Sequence, residues 1–150
     1  MTVVFLSFAG AEPREPSQVT EWARRLRAAG FEVIDHERFT SYDLIMTDIA
    51  RCDAMVAPVR WHGSTWASIE HSSAAAGRDT CDGSRGSWPP KPVLFWRVPD
   101  DDPHDPLTGM GGCVWAFRTG NAVALPGDFE LAVARAVEII RAIGSESPTA

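Results

Sequence analysis

The sequence predicts an α/β fold in which helices cover both faces of a central parallel sheet. Short runs rich in β-branched and aromatic residues alternate with longer segments whose apolar residues recur at helical spacing. The short runs are apolar throughout, which is typical of strands that are buried on both faces of a parallel sheet. This alternation predicts right-handed crossovers and a three-layer sandwich.

The first half of the chain predicts three strands and two helices. Val3 to Phe8 is the first apolar run, and Ser17 can cap the helix that follows a proline-containing loop. Gly30 stands where a helix-terminating glycine belongs, and Ser41 or Thr40 can cap the second helix. The expected elements are strand 3–8, helix 17–29, strand 31–35, helix 41–51 and strand 54–59.

The second half predicts two more strands and two more helices. An Ala/Ser-rich helix over 63–77 follows the third strand, and a Gly/Ser/Pro-rich loop over 79–90 comes after it. The expected strands are 92–98 and 114–117, and the final helix starts at the plausible cap Asp128. The whole pattern fits one flavodoxin-like domain over residues 1–144 with a central five-stranded parallel sheet, followed by a polar tail over 145–150.

Composition narrows the classes of function. The chain has 150 residues, of which 45% are hydrophobic and 23% charged, as expected for one domain with a single core. The net charge of −6 and the lack of a basic stripe disfavour a nucleic-acid polymer as a partner. The apolar opening is too short to span a bilayer, so we expect a cytoplasmic protein with no membrane partner. The cysteine and histidine spacing fits no metal site, and no cofactor fingerprint follows the first strand.

Polar and aromatic side chains converge on the carboxyl edge of the predicted sheet, where ligands bind in folds of this kind. Glu70 stands out, because it is an acid on a helix made mostly of small residues suited to close packing. The alternative is that Glu70 is solvated or paired with Arg78 or Arg60. The candidate site comprises Glu70 as the catalytic carboxylate and, around a ligand, Ser7, Phe8, Asp35, Arg60, Trp61, Ser64 and Trp66.

A carboxylate beside aromatic walls suits a ligand that is cationic or develops positive charge. Cleavage of an N-glycosidic bond passes through an oxocarbenium-like state, which a carboxylate can stabilise or attack. Apolar surroundings lower the local dielectric and strengthen this effect. The residues therefore favour a small nucleotide or nucleoside as the partner.

Two segments resemble Toll/interleukin-1-receptor (TIR) domains. The opening FLSF resembles their first box, and CDAMVAPVRWHGSTWASIE resembles their central box, where a strand is followed by Ser-x-Trp-Cys-x-x-Glu. Ala67 stands here in place of the common cysteine. The similarity covers roughly residues 3–98, and it implies a glutamate-dependent N-glycosidase for which NAD is the substrate rather than a cofactor.

The fold and the glutamate position also resemble nucleoside 2-deoxyribosyltransferases and nucleotide N-glycosidases. Those relatives often carry an aspartate six residues before the glutamate, where this chain has Ser64. Three readings follow: an NAD or nucleotide N-glycosidase, a nucleoside 2-deoxyribosyltransferase or nucleotide N-hydrolase, and a non-catalytic nucleotide-binding or interaction module. We also expect a homo-oligomer, because small domains of this kind often complete their sites between subunits.

Overall fold

A computed structural model of the chain describes residues 1–8, 16–36, 41–59, 65–97 and 120–146. Its five strands form one sheet in the order β2-β1-β3-β4-β5, and every neighbouring pair is parallel. This confirms the predicted α/β fold, because this strand order is that of flavodoxin-like proteins. The strands are β1 (Val3–Leu6), β2 (Glu32–Ile34), β3 (Ala54–Val59), β4 (Val93–Arg97) and β5 (Ala122–Ala124).

Four α-helices connect or follow the described strands. Two of the predicted caps are present: Ser41 Oγ accepts from the Leu44 amide at 3.3 Å, and Asp128 Oδ2 accepts from the Leu131 amide at 3.0 Å. Each cap satisfies an amide that has no partner inside its helix. The helices are α1 (Pro16–Ala28), α2 (Tyr42–Arg51), α3 (Thr65–Ala76) and α4 (Phe129–Glu146), so α4 ends two residues beyond the predicted boundary. Among the described helices, none has the length and apolarity needed to cross a bilayer.

The last strand differs from the sequence prediction. The strand predicted at 114–117 lies outside the described residues, and the fifth strand of the sheet is Ala122–Ala124. This segment pairs with β4 through Val93↔Ala122, Leu94↔Val123 and Phe95↔Ala124. Its three residues are all at least partly exposed, as expected at a sheet edge, and they are too few to show a strand pattern.

Alternation along the strands divides the core into two apolar clusters. Val4 and Leu6 of β1 face α1 and α4, whereas Val3 and Phe5 face α2 and α3. Successive side chains of a strand point to opposite faces, so this parity extends to residues just beyond each strand. It therefore predicts that Ser7 shares the face of α2 and α3.

Candidate functional site

The site lies where two neighbouring strands send the chain to opposite faces of the sheet. β1 leads into α1, which packs on one face, and β3 leads into α3, which packs on the other. Parallel strands that diverge in this way leave a crevice beyond their carboxyl ends, which is the usual ligand position in open α/β sheets. Ser7 follows β1 at this edge, and α3 starts at the same edge after β3.

Glu70 lies on the face of α3 that packs towards the sheet. Ala67 and Ala74, three residues before and four residues after it, are both buried, so all three share one helix face. Small side chains at these positions let the helix approach the sheet closely, and the longer glutamate can then reach the end of β1.

The Ser7 hydroxyl donates a hydrogen bond of 2.6 Å to Glu70 Oε1. Ser7 is only 1% exposed, and its backbone amide donates to the Val56 carbonyl of β3 at 2.9 Å. This second bond fixes Ser7 across the gap between β1 and β3. The carboxylate is thus held by a group that the sheet itself positions, at the point where β1 and β3 diverge.

The environment of Glu70 favours its protonated form. Burial raises the pKa of this carboxyl to about 7, and the hydrogen bond from Ser7 lowers it in part. Within the described part of the chain, Glu70 makes no ion pair, so the alternative in which it pairs with Arg78 is not observed. At neutral pH the side chain is therefore close to half ionised, which is the condition in which it can act as an acid or as a nucleophile.

The neighbouring histidine adds no positive charge to the site. His71 is 3% exposed, and its ring stands edge-on to Phe95 with the centroids 5.2 Å apart. Burial lowers the pKa of His71 to about 3, so its imidazole stays neutral at physiological pH. His71 is therefore a core residue that packs against β4.

Asp35 and Phe8 lie on the other face of the sheet from the Ser7–Glu70 contact. Asp35 accepts from Arg27 of α1 at 2.9 Å, and Phe8 packs against the apolar cluster of α1 and α4. The alternation of side chains along a strand explains both placements. Asp35 is two residues after Val33 and Phe8 is two residues after Leu6, so each points to the same face as that core residue. A ligand contact by either residue stays a prediction.

The structure describes no side chain for the remaining predicted site residues. Arg60, Trp61 and Ser64 precede α3 in a segment that the structure does not describe. Trp66 belongs to α3, four residues before Glu70, but its side chain is not described. Their roles around a ligand stay predictions as well.

His36 is a site neighbour that the sequence analysis did not select. Its ring contacts Phe5, with the centroids 5.6 Å apart, and its Nε2 atom lies 2.7 Å from Asp48 Oδ2. Residues 34 and 36 share a face, and the structure places Ile34 in the cluster of α2 and α3; the apolar strand carries no alternation that reveals this face in the sequence. Over the described residues, no group of three or more His, Cys, Asp or Glu side chains is arranged to hold a metal ion.

Comparison with known proteins identifies the fold. No protein-family model matches the chain, and no curated protein is similar to it in sequence. Among solved structures, the CMP N-glycosidase BcmB from Clostridium botulinum is similar with a TM-score of 0.61 at 18% identity, over 92% of this chain and 99% of that one. The flavodoxin-like domain of a Synechococcus protein is similar with a TM-score of 0.51 at 12% identity, over 96% of each chain.

Proposed function

We propose that this protein is a nucleotide N-glycosidase in which Glu70 is the catalytic carboxylate. The observation that carries the proposal is the half-buried Glu70, with a pKa raised to about 7 by desolvation, held by Ser7 at the switch point of the sheet. A desolvated acid that has no ion-pair partner among the described residues is costly for folding, and such groups are concentrated at functional sites. The fold shared with a CMP N-glycosidase supports this reading.

The reaction follows from the chemistry of a carboxylate beside a ribose. The bond between C1′ and the base nitrogen breaks, and its electron pair leaves with the base. An oxygen of Glu70 stabilises the positive charge at C1′ or bonds to it, and the oxygen of a water molecule then bonds to C1′, displacing the carboxylate where it had bonded. The water loses one proton, which balances the proton that the base of a nucleoside monophosphate takes up; with NAD the nicotinamide leaves neutral and the proton goes to solvent. The apolar packing of α3 against the sheet strengthens this stabilisation, because few water dipoles compete with the carboxylate.

Two substrate classes are proposed for this reaction. Nucleoside monophosphates come first, since the similar solved enzyme is a CMP N-glycosidase. NAD comes second, on the resemblance of residues 3–98 to TIR domains, and it would be split at the bond between nicotinamide and ribose. The charged nicotinamide is the better leaving group, so the cleavage of NAD depends less on an acid that protonates the base.

A panel of candidate substrates tests the proposal. The purified protein is incubated with CMP, the other nucleoside monophosphates, NAD and deoxyribonucleosides, each with and without a second free base, and released base is measured chromatographically. Release from a nucleotide without an added base supports the proposal. Base exchange that requires the second base indicates a deoxyribosyltransferase instead. A rise in melting temperature with a nucleotide, without any product, indicates a binding module and contradicts the proposal.

A further inference from the structure

The end of β2 brings a second ionisable side chain to the face of the sheet that carries Ser7. Phe5 of β1 pairs with Ile34 of β2, so the same register extended by two residues sets His36 beside Ser7. Neighbouring strands are about 4.8 Å apart, which is within reach of one small ligand. The contact between the His36 and Phe5 rings shows that the imidazole lies on this face.

Asp48 of α2 holds the imidazole from behind. This carboxylate is 7% exposed, and Oδ2 lies 2.7 Å from His36 Nε2, although off the line of an ideal N–H bond. Its other oxygen accepts from Arg51 Nε at 2.9 Å, and Arg51 also donates to Glu32 Oε1 at 3.2 Å. Arg51 offsets the charge of Asp48, so the network can keep a carboxylate against the histidine.

We propose that His36 is a substrate-positioning residue that hydrogen-bonds a ribose hydroxyl of the nucleotide. The inference rests on the proposed function, because it assigns the second polar contact around the same ribose. Nε2 faces Asp48, and the ring atom that His36 can offer to a ligand is therefore Nδ1. The His36 side chain is 19% exposed, so part of it is open to solvent.

Charge on this face favours a hydroxyl over a phosphate. Glu70 lies on this face and is partly ionised at neutral pH, so its negative charge disfavours a phosphate beside it. Arg51 is engaged by Asp48 and Glu32, so it does not offer its charge to a ligand. A neutral hydroxyl avoids this repulsion. It can donate a hydrogen bond to the imidazole or accept one from it.

The test compares a ribonucleotide that the wild type cleaves, CMP or NAD, with its 2′-deoxyribose and 3′-deoxyribose analogues. For His36→Ala, we expect kcat/KM on the ribonucleotide to fall about fivefold to tenfold, mainly through KM, as for one lost neutral hydrogen bond. The analogue that lacks the contacted hydroxyl should be cleaved equally by wild type and variant. His36→Asn, whose amide can place a polar atom near the position of Nδ1, should recover part of the preference.

Three results overturn the inference. An equal fall on all three substrates shows that His36 acts on the fold alone, and no change on any of them shows that it does not contact the ligand. If the wild type releases no base from any nucleotide, the proposed function fails first and this inference fails with it. Glu32→Gln is the matched control: it alters the distant end of the same ion network, at the start of β2, and should leave the substrate preference unchanged. Thermal unfolding of each variant separates loss of stability from loss of specificity.

Discussion

The two faces of the sheet differ in what they bury. On the face of α1 and α4, Trp22, Trp96 and Phe129 form an aromatic cluster with centroids 5.3 to 5.8 Å apart, and the Arg25–Glu130 pair lies outside on the surface. The buried polar residues of the described chain all belong to the side of α2 and α3. They are Ser7, Asp48, His71, Ser72, Ser73, Asp79 and Lys91.

This difference separates the apolar packing that stabilises the fold from the polar residues that surround the candidate site. Buried polar groups are tolerated when hydrogen bonds satisfy them, as Asp79 is by Tyr42 and by the Cys81 amide, and as Lys91 is by the Ala50 carbonyl. Glu70 differs in the number of its described hydrogen bonds: Ser7 donates one, whereas Asp79 accepts three, and burial raises the pKa of Glu70. The apolar face supplies the stability that offsets this cost.

The largest effect on stability is expected on the apolar face. Trp22 is fully buried between Trp96 and Phe129, and Trp22→Ala leaves a cavity that the surrounding rings cannot fill. We expect a loss of about 3–5 kcal/mol in the free energy of unfolding. Urea denaturation measures it, with Trp22→Phe as the milder variant should the alanine variant not fold. A loss below about 1 kcal/mol would show that this cluster does not carry the fold.

Glu70→Gln should increase stability, in contrast to most core substitutions. The folded-state pKa of about 7 lies above the ordinary value of 4.5, so the wild type loses stability as the pH rises through this window. The full shift corresponds to about 3 kcal/mol, which is an upper bound because Glu70 keeps partial solvent exposure. Denaturation at pH 8 should show the gain for the glutamine variant, and denaturation near pH 4 should show little of it. A variant that is less stable at both pH values would contradict the assigned environment.

Ser7→Ala is expected to have a smaller effect with a distinct signature. Removing the hydroxyl withdraws a bond that lowers the pKa of Glu70, so this pKa should rise further. If the ionised carboxylate carries the reaction, the rising limb of kcat/KM against pH moves to higher pH. The free energy of unfolding should fall by about 1 kcal/mol for the lost hydrogen bond. If the rising limb of kcat/KM against pH stays where it is in the wild type, Ser7 does not influence the carboxylate that reacts.

The smallest effect is expected on the outside of the apolar face. Glu130 is solvent-exposed and pairs with Arg25, which lies over the Phe129 ring. Surface ion pairs contribute little to stability, so Glu130→Gln should leave the denaturation midpoint and the base-release activity unchanged. A clear change in the midpoint or in the activity would show that surface charge on the face of α1 and α4 affects stability or activity as strongly as charge on the face of α2 and α3.

The sequence was sufficient to predict a parallel sheet, four of its five described strands, the four described α-helices and the proximity of Ser7 and Glu70 to one edge. It did not predict which face each edge residue would take, because the apolar strands show no polar alternation from which parity can be read. Asp35 and Phe8 were consequently grouped with Glu70, whereas His36 was left out. The fifth strand was missed because three residues carry no periodic signal.

The central claim is that a buried carboxylate on α3 carries the chemistry of the protein. Release of free base from CMP and from NAD by wild type and by Glu70→Gln, at equal concentrations of folded protein, tests it most directly. We expect measurable release by the wild type from at least one of them and a decrease of roughly a thousandfold or more for the variant. Equal release by the two proteins would show that Glu70 takes no part in the reaction.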